Sequence, residues 1–217
     1  MVDPSHARKY SKAEIEEIVA GLLGQAYPEG VSVPIDIDLL VEQHSGVDDI
    51  IPAELLEDKF GVSAALIYKP ATETFDIFVD EDTYTRQRGR ASFSIAHEFG
   101  HVVLHADVCR KCCTLEATLE LRRRLRKSYS RMEQDVDSFA SAILMPRWLL
   151  QHHAVHLYKG LIGLYGYDRR LVPYKLASGL ASQYKVSVKA MEVRLERLGL
   201  CEEVLRCIDR RFPFLEV

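Results

Sequence analysis

At 217 residues, 47% hydrophobic and 28% charged, the chain has the makeup of a globular protein with a substantial core rather than a disordered or fibrous one. A net charge of −4 gives no global reason to expect direct nucleic-acid or membrane binding. With no apolar leader and no run of 18 apolar residues the expected location is cytoplasmic, and five cysteines, an odd number, do not make a disulfide framework.

Taken in order, regular structure is first signalled at Ser11-Lys-Ala-Glu14, a capping box in which hydroxyl and carboxylate can each satisfy a free backbone donor. Ile15, Ile18, Val19, Leu22, Leu23 and Ala26 recur at helical spacing and predict an amphipathic helix over 12–26, ended by Pro28 and Gly30. Asp36 or Asp38 caps a short helix through Leu39 and Val41. Beyond Val47 the period changes to two. Val62–Tyr68 and Phe75–Val79 read as strands joined by a turn, with 48–51 as a third, so a small three-stranded antiparallel sheet is expected. An edge strand of such a sheet can receive an extended chain through main-chain hydrogen bonds, and Phe75–Val79 is the segment assigned that role here.

Arg86, Arg88 and Arg90 lead into Ser92–His105, either as a solvated helix entrance or as groups that position substrate carbonyls or carboxylates. This next helix is apolar nearly all round through Phe93, Ile95, Ala96, Phe99, Val102, Val103 and Leu104, which marks it as buried. Within it stands His97-Glu98-Phe99-Gly100-His101. Residues four apart share one helix face, so His97 and His101 can point at one metal ion. Glu98, about 100° round the helix from His97, can reach a metal-bound water without itself being a ligand. Buried polar side chains need partners, because each one left unpaired costs about 1–3 kcal/mol. A shared Zn²⁺ supplies them, and the pattern is that of zinc hydrolases.

His105 with Cys109, Cys112 and Cys113 has the spacing of a possible second zinc knuckle, but structural sites pair two such knuckles, so buried or tolerated cysteines are the expectation. Leu115–Lys127 is helical, and the basic residues between Arg122 and Arg131 read as a solvated face or a docking surface for an acidic partner. A further helix runs from Met132 to Pro146, with Met132, Val136, Phe139, Ala140, Ile143 and Leu144 as its apolar face.

Catalytic zinc takes three protein ligands. On an unbroken helix His105 lies about 12 Å beyond His97, too far to converge with it. An acid from the 132–145 helix suits better, and Glu133, Asp135 and Asp137 are the candidates; spacing alone does not separate Asp135 from Glu133.

The motif helix, the acid-rich helix ending Phe139-Ala-Ser-Ala-Ile-Leu-Met-Pro146, the preceding segment Arg90–Ala96 and the C-terminal segment Leu180–Gly199 together resemble the ImmA/IrrE family of metallopeptidases over roughly residues 30–200. The resemblance implies an α+β, predominantly helical zincin-like domain with the small antiparallel sheet packed beside the motif helix. It implies Zn²⁺ held by His97, His101 and Asp135, where aspartate is one methylene shorter than the family's glutamate, and Glu98 as general base. The implied domain spans 31–200 and includes a C-terminal helical hairpin, with 1–30 a helical extension and 201–217 a tail. The implied activity is endoproteolysis of a helix-turn-helix transcriptional repressor; the alternative is a zincin-like partner that binds such a regulator without cutting it.

Beyond Pro146 a helix over 147–158 carries His152, His153 and His156 as surface residues, 160–173 reads as a loop, and helices over 174–184 and 187–198 pack as a hairpin rather than a DNA reader, given their mixed charge.

Overall fold

The computed structural model describes residues 7–128 and 131–210, without the side chains of 125–128 and of 210. It divides into two compact units, Met1–Leu144 and Met145–Val217.

The first unit holds α1 (Lys12–Ala26), α2 (Ile37–Glu42), β1 (Val47–Ala53), α3 (Leu56–Phe60), β2 (Ala64–Lys69), β3 (Thr74–Asp80), α4 (Glu81–Arg86), α5 (Arg88–Cys109), α6 (Leu115–Ser128) and α7 (Arg131–Leu144). The fold is α+β, mostly helical. Ser11 Oγ accepts from Glu14 N at 3.2 Å while Ser11 N donates to Glu14 Oε2 at 2.8 Å, so α1 starts on the capping box that the sequence shows. It is no appendage. Its buried residues Ile15, Val19 and Leu23 form one stripe, and α1 packs on α7.

The sheet has the order β1-β3-β2 and is mixed, not antiparallel: β3 pairs antiparallel with β2 and parallel with β1. Alternating burial sets which side chains face the core but carries no information on strand direction. Direction follows from the connection through α3, which lets the chain pass to the far side before the β2–β3 hairpin brings β3 back into the middle. Phe75–Val79 is thus the centre of the sheet and cannot accept another strand; β2 and β1 form the edges.

Around α5 pack α7, α4, α2, β2 and β3, which explains why its apolar residues wrap nearly the whole circumference. Helical geometry breaks at His105 (φ −137°, ψ 29°), just after the motif. The entrance arginines serve the fold: Arg86 pairs with Asp82 at 3.1 Å, Arg88 with Asp38, and Arg90 with Glu57 at 2.5 Å.

The second unit comprises α8 (Arg147–Tyr165), α9 (Leu171–Tyr184), α10 (Val188–Arg197) and α11 (Leu200–Arg210). The 201–217 segment is therefore helical through Arg210, and α8 runs seven residues past the predicted Tyr158. Leu150, Ala154, Tyr158 and Leu161 give α8 a buried stripe, and α9 packs against it. Ser187 caps α10 by accepting from Ala190 N at 3.1 Å. Arg194 is buried and donates from Nε to Met145 O at 3.1 Å. His152 and His156 are exposed, as expected of surface residues.

Candidate metal centre

Two helices build the site, α5 with His97, Glu98 and His101, and α7 with Glu133. The four residues have little or no contact with solvent, Glu98 least among them. His97 Nε2 lies 3.5 Å from Glu133 Oε2, and His101 Nε2 lies 3.4 Å from Glu133 Oε1. His97, His101 and Glu133 are the one group among the described residues with three potential donor atoms all within 4.8 Å of one another.

Those separations fit a tetrahedral ion. With ligand bonds of about 2.1 Å, adjacent donors around zinc stand about 3.4 Å apart. His97 Nε2 is moreover buried without a hydrogen-bond partner, although burial favours pairing for such an atom. The electrostatics agree. Burial disfavours charge on His97, yet the facing carboxylates of Asp137 and Glu133 and the field of Glu98 outweigh it and lift the imidazole pKa to about 9. Burial pushes the Glu133 carboxyl up, and the facing His101 and His97 overcome this and hold it far below the usual carboxylate range. The pocket stabilises positive charge between these side chains, and its two imidazoles and one carboxylate are a zinc donor set.

Asp135, expected as the third donor, lies outside this cluster, and Glu133 stands in it. Along α7, Glu133 lies on the same side as Val136 and Ala140, which packs on α5. Asp135 is rotated by about 200° from Glu133 and faces the start of α1. There its Oδ2 accepts from Tyr10 N at 3.1 Å and its Oδ1 pairs with Arg131 Nε at 2.9 Å. Both acids are drawn inward because α7 is covered on two sides.

Close approach of α5 and α7 depends on Gly100, inside the motif. A Cβ there would stand 3.0 Å from Phe139 Cδ1 and 3.3 Å from Val136 Cβ, and both neighbours are fully buried with no room to yield. For Gly100→Ala, helix propensity gains about 1 kcal/mol, whereas overpacking a tight core contact costs about 1–3 kcal/mol. Overpacking wins. The variant is expected to melt about 2–4 °C lower for each kcal/mol of net loss and to bind zinc more weakly as α7 is pushed off, readable by calorimetry and chelator competition; a raised Tm would refute the argument.

Asp137, a candidate third ligand from sequence, is instead the orienting partner of His97: its Oδ1 is 3.1 Å from His97 Nδ1. That bond places the proton on Nδ1 and leaves Nε2 to face Glu133. Removing such a partner typically lowers metal affinity 10–100-fold. Asp137→Ala is expected to show that loss in a chelator titration with little change in Tm, because the side chain is about one-third exposed.

Arg122 is the second residue missed. Its Nη1 donates to Glu98 Oε1 at 3.2 Å and to Ala64 O at 2.7 Å, although the helix that bears it reads as solvated. His105 is buried, kept neutral by burial with its pKa near 4, and packs edge-on against Tyr10 with ring centroids 5.7 Å apart. Cys109 and Cys112 are buried, and burial raises both thiols; Cys113 is exposed.

The sequence matches the family model of the IrrE N-terminal-like domain, peptidase family M78, over residues 76–196, more than half of the chain. The chain belongs to that family. Its membership indicates a zincin-like metallopeptidase, and the matched stretch of this M78 chain contains His97, Glu98, His101, Arg122 and Glu133. No curated protein matches the chain. Among the described residues no helix is long and apolar enough to cross a membrane.

Proposed function

We propose that this M78 chain is a zinc-dependent endopeptidase whose substrate is a regulatory protein, a helix-turn-helix transcriptional repressor, cut to relieve repression. The observation that carries the reading is the spacing of His97 Nε2, His101 Nε2 and the Glu133 carboxylate, with Glu98 on the same helix beside them. His97, His101 and Glu133 would hold the metal. When bound, zinc supplies a Lewis acid that lowers the pKa of water and polarises a carbonyl. Glu98 takes the proton from the water that attacks the peptide carbonyl and passes it to the departing amine. Asp137 keeps the His97 ring in the productive orientation, and the buried walls of α5 and α7 limit competing water.

The non-cleaving alternative drew its support from the short Asp135 as third donor. A full-length glutamate at Glu133 removes that support. The test is incubation of the zinc-loaded protein with the helix-turn-helix regulator encoded nearest to its gene, followed by mass spectrometry of the fragments. A single internal cut that disappears with chelator is expected; an intact regulator, with protease activity on other proteins present, would reject the substrate assignment.

A further inference from the structure

The outer edge of β2 is already in use. In its antiparallel pairing with β3, main-chain groups of alternate residues point to β3, as Ser63 O does in accepting from Asp80 N at 2.9 Å. Those of Ala64, Leu66 and Tyr68 point outward, and an edge of this kind readily takes up another chain. One continuous segment meets all three. Tyr68 N donates to Cys112 O at 2.8 Å, Thr118 Oγ1 donates to Leu66 O at 2.6 Å, and Arg122 Nη1 donates to Ala64 O at 2.7 Å.

The same segment closes the reacting centre. Arg122 engages Glu98 Oε1, so that lone pair is not available to water. Between α5, α7, β2 and α6 remains a cavity of about 30 Å³, lined by Glu98, His101, Glu133, Thr118 and Arg122. That is room for about two waters. In this conformation the outward main-chain groups of β2 are already taken, and an extended chain finds no partners there.

We propose that α6 is a built-in occupant of the strand edge that receives substrate, a strap that keeps the enzyme latent until an extended polypeptide displaces it. The inference rests on the peptidase reading. An incoming extended chain would replace the Thr118, Arg122 and Cys112 bonds with its own main-chain bonds, and Arg122 would leave Glu98 in the same movement.

The test compares the full-length wild type, Thr118→Val/Arg122→Ala, and Arg124→Ala, whose side chain pairs with Glu120 on its own helix. The probe is fluorescein-labelled β-casein, an unfolded protein rich in extended stretches. Binding is read by anisotropy with the metal removed by chelator, where no cleavage is possible, and kcat/KM is read with zinc restored. The double variant is expected to bind at least tenfold more tightly and to cut at least tenfold faster, with Arg124→Ala unchanged. In the wild type, hydrogen exchange is expected to show amides of 115–124 losing protection on adding casein while those of 64–68 stay protected. Unchanged binding by a double variant with wild-type circular dichroism would overturn the strap. If the double variant does not fold, unaltered exchange of 115–124 in casein-saturated wild type would overturn it equally. Tighter binding with no cleavage of either casein or the regulator by any of the proteins sustains the strap and sinks the peptidase reading instead.

Discussion

Glu133→Ala is expected to lower zinc affinity by about two orders of magnitude, whereas Asp135→Asn should leave it unchanged. Zinc sites with four protein ligands carry about 10–16 kcal/mol of binding free energy, or about 3 kcal/mol per ligand, and each 1.4 kcal/mol is tenfold in Kd. Glu133 stands 3.4–3.5 Å from both imidazole nitrogens, so its removal takes away one donor and the negative charge that attracts the ion. Asp135 belongs to another contact, with Tyr10 N and Arg131. Its loss should appear as a lower Tm, since a buried amide without a partner costs about 1–3 kcal/mol. Asparagine keeps an acceptor for that amide and so separates folding from metal binding. Competition with a fluorescent chelator measures both proteins, and zinc loss from Asp135→Asn with retention in Glu133→Ala would reverse the ligand assignment.

Glu98→Gln should cut at a rate 10²–10⁴-fold below wild type, the usual worth of a positioned general base, while retaining zinc. Glutamine preserves the shape of a buried side chain and can still accept from Arg122, but it cannot take a proton from water. Glu98 is not one of the three clustered donors, so metal content is expected to match wild type. The comparison needs equal zinc occupancy, checked by elemental analysis, before rates are set side by side. Wild-type cleavage by a fully loaded Glu98→Gln protein would place the base elsewhere. If that variant relieves repression in cells as fully as wild type, the protein acts by binding and not by cutting.

Much of the site's first helix is legible in the sequence because its periodicity and its polar residues point to the same conclusion. A helix apolar all round that still carries His97, Glu98 and His101 has to bring them together for a reason, and α5 does so. Ser11 and Glu14 are legible because a capping box is local. What is not legible there shares a different cause. Glu133 and Asp135 differ by two residues on a helix covered on two sides, so amphipathic pattern marks both as inward and says nothing of which neighbour each meets. The mixed sheet is set by a crossover, not by alternation along any strand. Arg122 hides among basic residues whose average is solvated; it turns in because carbonyls at the edge of β2 want a donor, a fact belonging to another part of the chain. Asp137 likewise matters only through the His97 nitrogen it meets.

The helix α6 lies in the chain between the two helices that carry the donor residues, joined to α5 through residues 110–114. A strap tethered on both sides cannot diffuse away when it is displaced. Its effective concentration at the strand edge is of order millimolar, as for short linkers generally, so a polypeptide competing for that edge alone meets a rival that is always present. Edge pairing by itself is then a poor basis for selection, since any unfolded segment offers it. Discrimination falls to contacts made outside the edge, on surfaces where the tether has no counterpart, and a short peptide that reproduces only the cleaved sequence lacks them.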